Sequence, residues 1–356
     1  MKRLLFFTTI IIMLIAGNCF GGVSGYNLGA VGTPIPSDWF SSGRLVDYGT
    51  NALRNMETLV ALGVNPGTGS IFYVDSGVTN EGDGSSWLNA VDTLDEGINL
   101  CTASRGDVIF VAQGHAETFV TQSLDCDVVG VTIVGCGTGS LKPTITYNHA
   151  NAEVAIGADN VTIHNIRFLS SITDVLMGIE VEDGVGYFSI SGCDFAVDAG
   201  GTDEFLECIN FVNDNTGCSI RDCDFNMKGG LANAAVMLDA DTDQLTIYGC
   251  DIRGDYAVAC INGDTTLSTD LIISNCVLMN GISGVGGLND QPAIEVLDGT
   301  GGIIAHNYII SDVATHLLMR VADDMIPIEN WSTDVIGDDT QANDANTATI
   351  TVSVDG

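Results

Sequence analysis

The sequence predicts an all-β fold: a right-handed parallel β-helix, a solenoid of similar coils, with a short N-terminal capping helix. Three observations predict it. A short apolar unit returns seven times at steps of 26 to 31 residues, a second strand signal follows most copies, and no helix-period segment occurs after residue 105.

In chain order, Lys2 and Arg3 precede an unbroken apolar run from Leu4 to Ala16 and a small, polar stretch, Gly17-Asn18-Cys19-Phe20-Gly21. That is the layout of a secretory signal peptide over residues 1–21, and the run is shorter than the ~20 residues a membrane span needs. A signal-anchor is the alternative. A lipid-bearing Cys19 would want a small residue before it, where Asn18 stands. The mature chain is therefore expected to be secreted, or held at a cell or virion surface, and not to span a membrane. Residues 22–66 form a lead-in in which Leu45, Val46, Leu53, Met56, Leu59, Val60 and Leu62 suit an amphipathic helix, closed by the linker Asn65-Pro66-Gly67-Thr68-Gly69.

The solenoid is expected over residues 67–322. Its unit reads Ser189-Ile190-Ser191-Gly192-Cys193-Asp194-Phe195, and it recurs around the anchors Ile133, Ile163, Ile190, Ile220, Ile247, Ile273 and Ile304. Apolar and polar residues alternate, a Gly, Asn or Asp usually sits two places after the anchor, and an apolar residue or Cys follows it: strand, bend, strand. The second signal is Gly178-Ile179-Glu180-Val181, Cys208-Ile209-Asn210-Phe211, Val236-Met237-Leu238, Ala259-Cys260-Ile261, Ala293-Ile294-Glu295-Val296 and Leu318-Met319-Arg320-Val321. Three short strands per coil would climb ~4.8 Å per turn. Residues 323–356 lose the repeat and end on Thr347-Ala348-Thr349-Ile350-Thr351-Val352-Ser353-Val354, one strand that would cap the last coil or pair with another copy.

Charge narrows the partners. With 46 Asp+Glu against 11 Lys+Arg, the formal net charge is −35, which disfavours nucleic acid and other polyanions. Eleven cysteines in an exported chain would suggest disulfides. Cys136, Cys193, Cys223, Cys250 and Cys276 instead share one position of the repeat, a line of parallel side chains unsuited to tetrahedral zinc and too widely spaced for a relaxed disulfide. They are expected to be buried apolar fillers, free as thiols. Cys208, Cys218 and Cys260 lie elsewhere on the coil and leave one surface disulfide open.

These repeats resemble the pectate-lyase-like superfamily of right-handed parallel β-helices, in which Asn often occupies the inward bend, as Asn307 does here while five coils carry Cys. The segments Phe72-Tyr73-Val74-Asp75 to Trp87, Ala90 to Cys101 and Gly106 to Thr118 look like the first coil of that family, where a helix caps the open end. The stretch from Cys101 to Thr118 is also similar to β-helix proteins of phage and virus-like genomes, taken to be virion or surface proteins. The resemblance implies glycan as a partner. It implies two chemistries as well: calcium with an Arg or Lys base on an anionic polysaccharide, or paired aspartates with a Gly-His and a basic motif. The second pattern is not found, and Arg167, Arg221 and Arg253 are the basic residues noted in the central coils.

The residues themselves offer one column. Asp194, Asp224 and Asp251 follow the ladder cysteine in three consecutive coils, with Arg167 one coil earlier. By alternation they face outward at ~4.8 Å intervals, where like charges repel, raise one another's pKa or collect a cation. Calcium bridging and glycoside chemistry are the functional readings, and solvated acids near turns are the plain one. Asp75 and Asp83, with Asn80 in a Gly-rich loop, are further calcium candidates. No nucleophile elbow, phosphate loop or zinc helix occurs. The expected function is a non-enzymatic extracellular or virion-associated β-helix with a structural or glycan-adhesion role. The alternatives are a polysaccharide lyase or glycoside hydrolase, and a self-assembling surface protein that forms homo-oligomers.

Overall fold

The computed structural model describes residues 69–120, 124–198, 203–227, 232–263, 268–281, 291–297, 300–311, 319–322 and 324–332. The expected signal peptide, the expected lead-in 22–66 and the expected strand at 347–354 lie outside the described residues.

The chain winds as a parallel β-solenoid with three faces. Sheet A has ten strands from Ile71–Val74 to Met325–Ile328, sheet B nine from Ala116–Phe119 to Trp331–Ser332, and sheet C eight from Leu124–Cys126 to Met319–Val321. Each strand pairs in parallel with its counterpart one coil away, so like residues stack in columns. The anchors Ile133, Ile163, Ile190, Ile220, Ile247, Ile273 and Ile304 fall in one unbroken register on sheet A and are buried. On sheet B, Phe168, Phe195 and Phe225 stack with ring centroids 4.9 and 4.8 Å apart. The second strand signal of the sequence is sheet C.

The bend two places after each anchor has a backbone cause. Asn165, Asp222, Asn275 and His306 adopt φ of 58°, 50°, 57° and 57°, with Gly192 and Gly249 in the same region. Asn, Asp and Gly enter left-handed backbone at least cost, which is why they recur there. A second left-handed ladder precedes sheet A at Asn160, Tyr187, Gln244 and Asp270. Residue types vary along this second ladder, so no repeated residue signals it.

Three expectations change. Cys193, Cys223, Cys250 and Cys276 are buried free thiols, but Cys136 is only partly buried. Its coil replaces the two-residue bend with a 3-10 turn, Gly139–Leu141, so the position opens toward solvent. Cys208, Cys218 and Cys260 are also buried and free, which removes the surface disulfide. The solenoid also runs past residue 322: Met325–Ile328 and Trp331–Ser332 add another turn, with Asn330 Nδ2 donating inward to Ile304 O at 2.8 Å.

One α-helix occurs among the described residues, α1 (Leu94–Asn99), in the stretch expected to hold one. A capping box starts it: Thr93 Oγ1 accepts from Glu96 N, and Glu96 Oε2 accepts from Thr93 N, both at 3.3 Å. Leu94 and Ile98 are buried in the first coil's core.

Candidate functional site

The outer columns carry the chemistry. On sheet B, Asp194, Asp224 and Asp251 lie directly opposite one another in consecutive coils, with Arg167 opposite Asp194, as the repeat predicts. Their electrostatics differ from three free carboxylates. Lys142 Nζ, brought in by the 3-10 turn, donates to Asp194 Oδ1 at 2.6 Å and to Gly192 O at 2.8 Å. Arg167 Nη2 donates to Asp194 Oδ2 at 3.0 Å. Arg253 forks onto both oxygens of Asp251, at 2.5 and 2.7 Å. Asp224, between them, is raised above the usual carboxylate range by desolvation and then by Asp251 and Asp194. Three cations thus neutralise the column, and its outer carboxylates have their oxygens already occupied.

Asp75 and Asp83 are not brought together at a shared site. Asp75 Oδ1 accepts from Gly77 N at 2.8 Å, and Asp83 Oδ1 accepts from Ser85 N at 3.0 Å and Ser85 Oγ at 2.5 Å, each closing its own turn. The hydroxyl and amide of Ser85 hold the Asp83 carboxyl below its usual range. Among the described residues, the carboxylates close enough to share a cation are Glu81, Asp92 and Glu96, with ligand atoms within 4.8 Å of one another. Repulsion from Glu96 raises Glu81, and hydrogen bonding with Glu96 raises Asp92. This is an oxygen-only set, suited to a hard divalent ion such as calcium.

Sheet C differs from both other faces because the polar members of its outer column are buried at Asn210, Asn262 and Glu295 and half-buried at Glu180 and Arg320. Glu180, Asn210, Met237, Asn262, Glu295 and Arg320 follow one another in register. Asn210 and Asn262 are each 3% exposed. Asn210 Nδ2 donates to Glu207 Oε2 at 2.6 Å and to Asp239 Oδ2 at 2.9 Å. One amide nitrogen therefore spans two carboxyls from neighbouring coils and fixes their separation, while Asn210 Oδ1 is buried with no hydrogen-bond partner. Burial raises Glu207, with Asp239 adding to the shift, against opposing bonds from Asn210 and from Asn233 Nδ2 at 3.4 Å. Asp239 is exposed and Glu207 half-buried. Burial also raises Glu180, helped by Glu153. An unsatisfied buried acceptor beside carboxyls raised by burial makes this cluster a candidate site.

Sequence reasoning singled out neither Glu207 nor Asp239. The spacing hid them: Asp239 stands 29 residues after Asn210, two places beyond Met237, the register partner of Asn210.

No protein-family model and no curated protein matches the chain. Solved structures similar to it include a pectin methylesterase from Aspergillus niger, at 15% identity and a TM-score of 0.46 over 82% of this chain and 93% of that one. A rhamnogalacturonan lyase aligns at 9% identity and 0.40 over 74% and 87%, and the pectate lyase Pel9A at 12% and 0.36 over 74% of each chain. These are likenesses of backbone at low identity, and the chemistry rests on this chain's own side chains.

Proposed function

We propose that sheet C carries a glycan-processing site of the glycoside hydrolase type, with Glu207 as the acid and Asp239 as its carboxylate partner. The observation that carries this is the shared Asn210 amide. Two carboxyls bonded to one nitrogen lie about as far apart as the ~5–5.5 Å pair of a retaining glycosidase. Their environments divide the labour: burial raises the pKa of half-buried Glu207 and favours its protonated form, while Asp239 faces solvent. Glu207 would pass its proton to the glycosidic oxygen as the C–O bond breaks, and Asp239 would attack the anomeric carbon. Water, deprotonated by Glu207, would then release the sugar. Asn210 would hold the two carboxyls at that separation, and α1 would close the apolar end of the stack.

The signal peptide expected over residues 1–21 would make an extracellular polysaccharide the substrate. Incubating the mature protein with neutral and uronate polysaccharides and following new reducing ends tests the reading. Glu207→Gln should lower turnover by ~10²–10⁴-fold with the melting temperature held. Binding without cleavage, unchanged in Glu207→Gln, would return the protein to a glycan-adhesion role at a cell or virion surface.

A further inference from the structure

Tyr187 stands in a backbone conformation that a tyrosine adopts only under constraint. Its φ is 60°, in the left-handed ladder where other coils carry Gly130, Asn160, Gly217, Gln244 and Asp270. For a bulky side chain that region is strained, and such strain persists where the surroundings over-determine it, most often at sites that bind or react. Here the surroundings do so. Tyr187 N donates to Thr216 O at 2.8 Å, and Asn160 N donates to Gly186 O at 3.0 Å. Gly186 N donates to Asp159 Oδ1 at 2.8 Å, while Asn215 Nδ2 donates to Glu182 O at 2.8 Å and Val185 O at 3.2 Å. The turn from Glu182 to Tyr187 is thus tied to the coils on both sides. What it delivers is a ring held outward. Tyr187 is 60% exposed, and its Cδ1–Cε1 edge rests on Gly217, where a Cβ would meet both atoms at 2.8 Å.

We infer that Tyr187 is the stacking platform for a neutral sugar residue, at a subsite two coils from the Glu207–Asp239 pair. The inference rests on the glycan reading above and adds to it the place and the charge of the substrate. Place follows from the winding. Tyr187 and Asp239 lie on turns from sheet C to sheet A, and the strands that lead into them, Val175–Val181 and Ala234–Leu238, have one strand, Phe205–Phe211, between them. That sets the two residues ~10 Å apart along the axis. Charge follows from the neighbours. Residues 157–160, 182–187, 213–217 and 239–244, which form this corner in four consecutive coils, hold seven carboxylates and no Lys or Arg. A uronate would meet repulsion there. A neutral pyranose would lay its C–H bonds on the electron-rich ring face and give its hydroxyl protons to carboxylate acceptors.

Isothermal titration of the mature Glu207→Gln protein, with chelator present so that no divalent ion bridges acid to acid, tests this. The probes are neutral pentasaccharides of glucose, mannose, galactose and xylose, and penta-galacturonate. At least one neutral probe should bind more tightly than the uronate. Adding Tyr187→Asn should weaken that binding at least tenfold and raise the melting temperature by ~2 °C, because Asn tolerates the left-handed backbone that Tyr resists. Tyr187→Phe, which keeps the ring, should bind as before. Unchanged affinity in Tyr187→Asn, tighter binding of the uronate, or binding of none of the five probes would overturn the inference, whether or not the wild-type chain cleaves glycan. Weakened binding in Tyr187→Asn with no cleavage by the wild-type chain would uphold the platform and remove the acid role of Glu207.

Discussion

Asp194 and Asp224 stand opposite each other in adjacent coils, yet Asp194 is held by Lys142 and Arg167 while Asp224 is raised by its crowded, acidic setting. A carboxyl whose folded pKa lies above its unfolded value stabilises the fold below the unfolded pKa, and that contribution is lost as pH rises through the folded pKa. At pH 7 Asp224 is therefore a small liability. Asp224→Asn should raise the melting temperature at pH 7 by ~1 °C, since exposed charges are worth only a few tenths of a kcal/mol. The gain should vanish on acidification below the ordinary aspartate range. A loss of stability at pH 7 would show that the column needs this charge.

Calcium should act at the other end of the solenoid. If Glu81, Asp92 and Glu96 share an ion, calcium at a hundredfold excess over Kd adds ~2.7 kcal/mol. Calorimetric melts should show Glu96→Gln blunting that response and Asp224→Asn preserving it. Equal responses in both variants would reduce calcium to general screening of an acidic chain.

Glu207 predicts the alkaline limb of any hydrolytic activity. The acid must hold its proton, and burial raises its pKa, so kcat/KM should stay high past the ordinary glutamate range and fall only above the raised value. Asn210→Ala removes the bond to Asp239 and should shift that limb while reducing rate. An unchanged profile would uncouple Asn210 from the acid.

The thiols should separate by place in the coil. In the folded protein Cys101 and Cys136, both partly buried, should react first, and slowly, because burial pushes their thiols up to about 12 and about 11. Cys193, Cys223, Cys250 and Cys276 should label only after denaturation, without reductant. A mapped disulfide between any two of these four would contradict the ladder.

Phe195 sits between Phe168 and Phe225 and is fully buried. Phe195→Ala should cost ~3–5 kcal/mol, read from a urea melt. A loss under ~1 kcal/mol would mean that the coils collapse around the gap.

The stacking itself was legible because the anchors repeat: Ile190 and Ile220 announce their own pairing, and Asp194 its place opposite Asp224. What the sequence hides is anything that crosses from one column to another. Lys142 lies in a turn that interrupts the repeat, so nothing in the spacing ties it to Asp194, 52 residues away. Glu207 and Asp239 belong to different positions of the coil and meet only through Asn210. Paired residues at equal phase are visible in a periodic sequence, and pairs at unequal phase require the fold.

The left-handed bends after sheet A have one further consequence. From Asn165 to His306 the turn from sheet A into sheet B keeps a two-residue length, whereas the turn from sheet B into sheet C varies: Ser170 to Val175 in one coil, Asn280 to Ile294 in another. The coil of Cys136 takes its insertion between sheets A and B, whereas in these coils insertions are admitted beside the face that holds Glu207 and Asp239. A descendant, or a designer, can graft a longer loop there and change what the groove grips without disturbing a single stacked column.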